Sequence, residues 1–142
     1  MRIQLMLSLP RDSTSVPLAR SVVAAALDSL GTTDECRYDV QLAVAEACSN
    51  VVRHAEAADK FEITIMLDDK ACTIEVTDDG PGFDPAGVPA PTASSETGRG
   101  LRIMRLVTDR FELRRRAGGG TVVRFVKNLV WARATLSLVR SF

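Results

Sequence analysis

Two stretches of alternating apolar residues, separated by a short polar turn at residues 68–70, constrain the fold of this chain most strongly. Residues 61–67 place Phe, Ile, Ile and Leu at every second position, and residues 72–76 repeat the pattern with Cys, Ile and Val. Because successive strand residues point to opposite faces, this pattern predicts an antiparallel hairpin with one apolar face. Helices must then cover that face.

The other elements follow from the same periodicities. They are, in chain order, a strand over residues 2–9, helices over 13–29 and 33–56, the hairpin above, a helix over 98–107 with Leu101, Met104 and Leu106 buried, and strands over 109–115 and 121–127. In the second helix the apolar seam comprises Val40, Val44, Ala47 and Val51. We therefore predict an α/β two-layer sandwich, with a mostly antiparallel mixed sheet of about five strands and three helices on one face.

The length of 142 residues fits one domain. We assign residues 1–127 to that domain and residues 128–142 to a C-terminal extension of the same domain, for which the pattern predicts no role. Residues 83–97 contain three prolines and a Thr/Ser-rich run, and they are predicted to form a mobile loop.

Charge and cysteine content exclude several classes of protein. Eighteen basic and eighteen acidic residues give zero net charge, so nothing indicates bulk attraction to nucleic acid or to a membrane. The three cysteines form no CxxC pair, which indicates buried thiols in a reducing compartment and no zinc–thiolate site. With no apolar run long enough to cross a bilayer, we expect a cytoplasmic protein.

The second helix carries a polar line as well as its apolar seam. Glu46, Asn50 and His54 recur every four residues and so share one helix face. Asn50 can supply an oxygen to Mg²⁺, and Glu46 can accept a proton from an attacking hydroxyl. The alternative is a solvated helix face. For His54 we favour a structural position at the helix end, where the helix dipole favours a cation.

Asp78 continues the inward parity of the second hairpin strand, which places a carboxylate on the core side where the strand ends. Such a group can accept a hydrogen bond from the exocyclic amine of adenine. Gly80 and Gly82 allow the backbone to turn and approach the base closely. The alternative is an ordinary turn after a strand.

A second glycine pair, Gly98 and Gly100, precedes the third predicted helix. Bare N–H groups at a helix N-terminus bind phosphate, and Arg99 adds a positive charge that can reach a phosphate oxygen. A lone GxG has little specificity, and this one forms neither a Rossmann fingerprint nor a P-loop.

Taken in order, these segments resemble the three nucleotide-binding boxes of the GHKL ATPases. The N box corresponds to Glu46-x-x-x-Asn50-x-x-x-His54, the G1 box to Asp78-x-Gly80-x-Gly82, and the G2 box to Gly98-Arg99-Gly100-Leu101. The stretch Gly-Arg-Gly-Leu-Arg-Ile-Met and the short chain are similar to bacterial anti-sigma factor serine kinases.

The resemblance implies a Bergerat fold that binds ATP and Mg²⁺ under a lid. It implies that Glu46 is the catalytic base, that Asn50 binds Mg²⁺ and that Asp78 holds the adenine amine. The remaining cofactor-binding positions would be Gly80, Gly82, Gly98, Arg99, Gly100 and Leu101. The implied function is transcription regulation in a stress response, by sequestering a sigma factor and phosphorylating a serine of a STAS-type anti-anti-sigma protein. Members of the family commonly form homodimers through the first strand and helix.

Two alternatives remain open at this point. Family lids often carry an arginine that reaches the terminal phosphate, but residues 83–97 contain no Arg or Lys, which favours a non-catalytic ATP-binding module. Arg99 is a possible substitute for that arginine. The other alternative is the catalytic domain of a histidine kinase, which would have to act on a histidine of another protein.

Overall fold

The computed structural model describes residues 1–54, 59–78, 96–117 and 119–132. The elements are, in chain order, β1 (Arg2–Pro10), α1 (Ser15–Leu30), α2 (Asp34–His54), β2 (Lys60–Asp68), β3 (Ala71–Asp78), α3 (Glu96–Val107), β4 (Arg110–Arg115) and β5 (Thr121–Asn128). The predicted α/β fold with five strands and three helices is confirmed.

The strands form one sheet in the order β1-β2-β3-β5-β4, and every neighbouring pair is antiparallel. The turn between β2 and β3 is held by Asp68, whose Oδ1 accepts hydrogen bonds from the backbone N–H groups of Lys70 (2.7 Å) and Ala71 (2.8 Å). These bonds lower the pKa of the Asp68 carboxyl. The register that follows pairs Ile65 with Ile74 at the centre of the sheet.

The inner face of the sheet and the helices share one core. The predicted seam of α2 is confirmed, because Val40, Val44, Ala47 and Val51 are all buried. Met104 of α3 is fully buried, whereas Leu106 is 81% exposed, so the prediction that Leu106 is buried was wrong. Two residues advance about 200° around a helix, which carries Leu106 to the side opposite Met104.

The three cysteines are free and buried, as predicted. Burial raises the pKa of the Cys48 thiol and of the Cys72 thiol to about 12. Across the described ranges, no helix is both long and apolar enough to span a membrane.

The first residues of the C-terminal extension pack back onto the domain. The N–H of Leu129 donates to the carbonyl of Lys70 (2.8 Å), and the N–H of Thr33 donates to the carbonyl of Val130 (2.8 Å). Trp131 forms an antiparallel bridge with Thr32. Residues 128–132 therefore tie the α1–α2 connection to the sheet, while residues 133–142 lie outside the described residues.

Candidate functional site

Asp78 is the last residue of β3 and is only 5% exposed. Its strand neighbour in β2 is Phe61, which is also buried and points to the inner face. The prediction that strand parity places this carboxylate on the core side is confirmed. A carboxylate oxygen at this position can accept a hydrogen bond from an amine.

Thr121 occupies the neighbouring position on β5. The register pairs Thr77 with Val122, and its next step therefore sets Asp78 beside Thr121. Thr121 is 2% exposed, and its Oγ1 has no hydrogen-bond partner within the described part of the chain. An unsatisfied buried polar group costs about 1–3 kcal/mol, so a further polar group beside this hydroxyl would be stabilising.

Sequence analysis missed Thr121, although a signal was present. In β5, Thr121, Val123 and Phe125 alternate towards the core. Thr121 is the first inward residue of this strand, and it lies opposite the end of the strand that carries Asp78. A hydroxyl at such a position is the signal that could have identified Thr121.

Asn50 lies on α2 and is 3% exposed. Its Oδ1 accepts a hydrogen bond from Nη2 of Arg53 at 2.9 Å. The guanidinium of Arg53 therefore reaches the oxygen that we predicted for Mg²⁺. Sequence analysis also missed Arg53, which shares a helix face with Asn50 through the i, i+3 spacing.

Glu46 and Asn50 face the glycine pair of α3 across a close helix–helix contact. A Cβ atom at Gly100 would lie 2.7 Å from Oε2 of Glu46 and 3.7 Å from Oδ1 of Asn50. The first distance is shorter than a non-bonded contact allows, so only glycine fits unless the Glu46 carboxylate moves. The structure thus brings the first and third predicted segments into direct contact.

The glycine pair lies inside α3 and not ahead of it. The helix begins at Glu96, two residues before the predicted start, so Gly98 and Gly100 are helical and buried. Arg99 is exposed, and Leu101 is half-buried against the core. The N–H groups of the first turn of an α-helix have no acceptor within the helix, and such groups can bind an anion.

Three other predictions have separate outcomes. Gly80 and Gly82 lie outside the described residues, so their role stays a prediction. Residues 83–95 of the predicted loop also lie outside them, whereas Glu96 and Thr97 begin α3, so the loop prediction was wrong at these two residues. His54 is the last residue of α2 and is exposed. That position agrees with the structural interpretation.

Known proteins resemble this chain in sequence and in fold. The family model described as "Histidine kinase-like ATPase domain" matches residues 9–127, a range that contains every site residue above. The chain belongs to this family. Membership of an ATPase family indicates that ATP is the nucleotide used.

Two curated relatives cover most of the chain. It is 37% identical over 124 residues to the anti-sigma F factor of Caldanaerobacter subterraneus subsp. tengcongensis, covering 81% of this chain and 86% of that protein. It is 30% identical over 123 residues to the serine-protein kinase RsbW of Halalkalibacterium halodurans, covering 79% of this chain and 76% of that protein. The predicted resemblance to anti-sigma factor serine kinases is confirmed.

A solved structure supports the fold. The crystal structure of the RsbU and RsbW domains of Rv1364c from Mycobacterium tuberculosis matches with a TM-score of 0.70 at 17% sequence identity. The match covers 92% of this chain and 34% of that one, so this chain spans about a third of the solved protein.

Proposed function

We propose that this protein is an anti-sigma regulatory kinase. It transfers the γ-phosphoryl group of ATP to a serine of an anti-anti-sigma protein and sequesters a sigma factor. The observation that carries the proposal is the contact of Gly100 with Glu46 and Asn50, which puts an acid and an amide beside the start of a helix. The names of the two curated relatives support the same reading.

The adenine end of the site is assigned to Asp78 and Thr121. The buried Asp78 carboxylate accepts a hydrogen bond from the exocyclic amine. The Thr121 hydroxyl, which has no hydrogen-bond partner among the described residues, offers a second polar group at the base edge. This arrangement fits a planar base with a donor at its edge. Gly80 and Gly82 complete this pocket in the proposal.

The phosphate end is assigned to the start of α3 and to α2. Backbone N–H groups of the first turn of α3 bind phosphate oxygens, with Arg99 as an added cation. Asn50 holds Mg²⁺ through Oδ1, which requires Arg53 to turn away or towards a phosphate oxygen. When bound, Mg²⁺ neutralises charge on the phosphates.

Glu46 is assigned as the general base. It accepts the proton of the serine hydroxyl as that oxygen attacks the γ-phosphorus, and ADP departs as the bond to the β–γ bridging oxygen breaks. The close packing of Gly100 restricts the positions open to the Glu46 carboxylate, which holds it near the phosphate end.

The remaining assignments rest on the resemblance and on the relatives. We propose a cytoplasmic protein whose partners are a sigma factor and a STAS-type protein, and a homodimer formed through β1 and α1. The absence of Arg and Lys from residues 83–97 favours one second candidate, a non-catalytic ATP-binding module that regulates a sigma factor.

Phosphoryl transfer separates the two candidates. The wild-type protein and the variants Glu46→Ala and Asn50→Ala are incubated with γ-labelled ATP, Mg²⁺ and purified STAS-type proteins of the source organism. We expect label on one serine with the wild type and none with either variant. A wild type that binds ATP, retains a sigma factor and labels none of those proteins would establish the binding module instead.

A further inference from the structure

We propose that Lys127 is a positioning residue for the phosphate end of the site, acting through α3. The inference rests on the proposed ATP site. The first observation is an unusual residue type in β5. Lys127 lies two residues after Phe125 and four after Val123, so its side chain is on the same inner face of the sheet. Lys127 pairs in register with the buried Cys72, so it occupies a position on the core side of the sheet. Packing by itself would be satisfied by an apolar residue here and does not explain a lysine.

The ammonium of Lys127 joins two helices. Its Nζ lies 2.9 Å from Oδ2 of Asp39 on α2 and 3.0 Å from the carbonyl oxygen of Val107, the last residue of α3. The side chains of Lys127 and Asp39 are only 17% and 22% exposed. A cation at this point satisfies a C-terminal carbonyl of α3 and interacts favourably with the negative end of the helix dipole.

This contact and the Gly100 contact are the two ends of one seam between α2 and α3. Asp39 precedes Glu46 by seven residues, and Gly100 precedes Val107 by seven residues. At 1.5 Å per residue, both separations are about 10.5 Å along their helices. The helices therefore run antiparallel, with Lys127 setting their register at one end and Gly100 meeting Glu46 at the other.

Two more bonds fix the same end of α3 to β5. The N–H of Asp109 donates to the carbonyl of Val126 (2.8 Å), and the N–H of Asn128 donates to Oδ2 of Asp109 (2.6 Å). Because α3 is fixed at Val107, a tilt of the helix about this end moves its first turn most. A tilt of about 5° moves Gly98, nine residues away, by about 1 Å at 1.5 Å per residue.

A displacement of about 1 Å matters where phosphates are bound, because a hydrogen bond from an N–H group to a phosphate oxygen weakens steeply as its length and angle depart from the preferred values. The adenine end does not depend on α3, since Asp78 and Thr121 belong to hydrogen-bonded strands. Loss of the Lys127 contact should therefore weaken recognition of the phosphates and leave recognition of the base unchanged. A purely structural role for Lys127 predicts no such difference.

The test compares ATP with adenosine in three variants. Lys127→Met keeps most of the aliphatic stem and removes the charge, Lys127→Arg keeps the charge, and Asp39→Asn is an isosteric change of the partner. Lys60→Met, at an exposed position that starts β2, is the matched control. Affinity for ATP with Mg²⁺ is measured by calorimetry, affinity for adenosine by NMR titration, and folding by circular dichroism and urea unfolding.

We expect Lys127→Met and Asp39→Asn each to weaken ATP binding about tenfold, the equivalent of about one lost hydrogen bond to a phosphate, and to leave adenosine binding unchanged. Lys127→Arg and Lys60→Met should bind ATP as the wild type does. Because the two groups act through one contact, the Lys127→Met/Asp39→Asn double variant should lose no more than either single variant.

Two results would overturn the inference. One is wild-type affinity for ATP in folded Lys127→Met and Asp39→Asn. The other is an equal loss for ATP and adenosine, which would mark Lys127 as a purely structural residue. A wild type that binds no ATP would overturn the proposed function itself, so the two failures can be told apart. If Lys127→Met does not fold, Asp39→Asn alone decides between these results.

Discussion

Asp78 and Thr121 are placed by the register of two neighbouring strands, whereas Glu46 and Asn50 are placed by the packing of one helix on another. At the adenine end, both residues are buried at adjoining positions of an antiparallel pair. At the phosphate end, the decisive contact is between side chains of α2 and a residue of α3 that lacks a side chain.

The two ends of the site differ in how firmly the backbone fixes their residues. Backbone hydrogen bonds on both sides of β3 fix the position of Asp78, so the adenine end is set once the sheet forms. The phosphate end depends on how α3 sits against α2. We infer that the adenine end contributes to ATP binding alone, whereas the phosphate end contributes to ATP binding and to the chemistry, and each variant below tests one of the two ends.

The largest effect is expected at the phosphate end. Glu46→Gln removes the proposed general base and keeps the size of the side chain, so the rate of phosphoryl transfer should fall about 100- to 10,000-fold. ATP affinity should stay close to that of the wild type. Single-turnover kinetics and calorimetry measure the two quantities, with the exposed Glu62→Gln as control. A Glu46→Gln protein that transfers phosphate normally would remove Glu46 from the chemistry.

Asp78→Asn should produce the opposite pattern. Replacing the carboxylate by an amide turns a charge-assisted hydrogen bond into a neutral one of about half the strength, so ATP affinity should fall about tenfold. At saturating ATP, the rate of transfer should recover. Calorimetry on Asp78→Asn and on the exposed control Asp59→Asn measures this. Unchanged affinity would place the adenine elsewhere.

Gly100→Ala tests the close contact between the helices. The added Cβ would lie 2.7 Å from Oε2 of Glu46, and the flexible carboxylate can move away, so folding should be retained. The transfer rate should fall on the order of tenfold because the base is displaced. In a Glu46→Gln background the same substitution should have no further effect, and an additive loss would show that Gly100 acts on something other than Glu46.

Thr121→Val should have the smallest effects, and they should be opposite in direction: the protein should become more stable and should bind ATP more weakly. Removing a buried hydroxyl that has no hydrogen-bond partner among the described residues should raise the free energy of unfolding by about 1 kcal/mol, because an unsatisfied buried polar group is costly. ATP affinity should fall a few-fold through loss of one contact to the base edge. Urea unfolding and calorimetry are compared with Thr73→Val on the outer face of the sheet. A variant with lower stability would mean that the hydroxyl has a protein partner.

The sequence predicts the adenine end better than the phosphate end for a physical reason. A strand has a period of two, so the inward position of Asp78 follows by counting from Phe61 or Cys72. The same count would have found Thr121. The order of β4 and β5 in the sheet, by contrast, depends on which strands pair over long separations, and alternation does not contain that information.

At the phosphate end, the sequence predicts the helix face that holds Glu46 and Asn50 but not what faces it. The contact with Gly100, the bond from Arg53 and the seam that ends at Lys127 all arise from packing between elements. Leu106 shows the same limit, because an apolar residue on an amphipathic helix was assigned to the wrong side. Small errors in helix phase do not change the fold, but they change which residues meet.

The most direct test of the two-ended site is a crystal structure of the protein with Mg²⁺ and a non-hydrolysable ATP analogue. The account predicts the exocyclic amine within hydrogen-bond distance of Asp78, with Thr121 at the base edge. It also predicts phosphates at the first turn of α3, and Mg²⁺ on Oδ1 of Asn50. A nucleotide bound with its phosphates away from α3, or with its base away from Asp78, would contradict it.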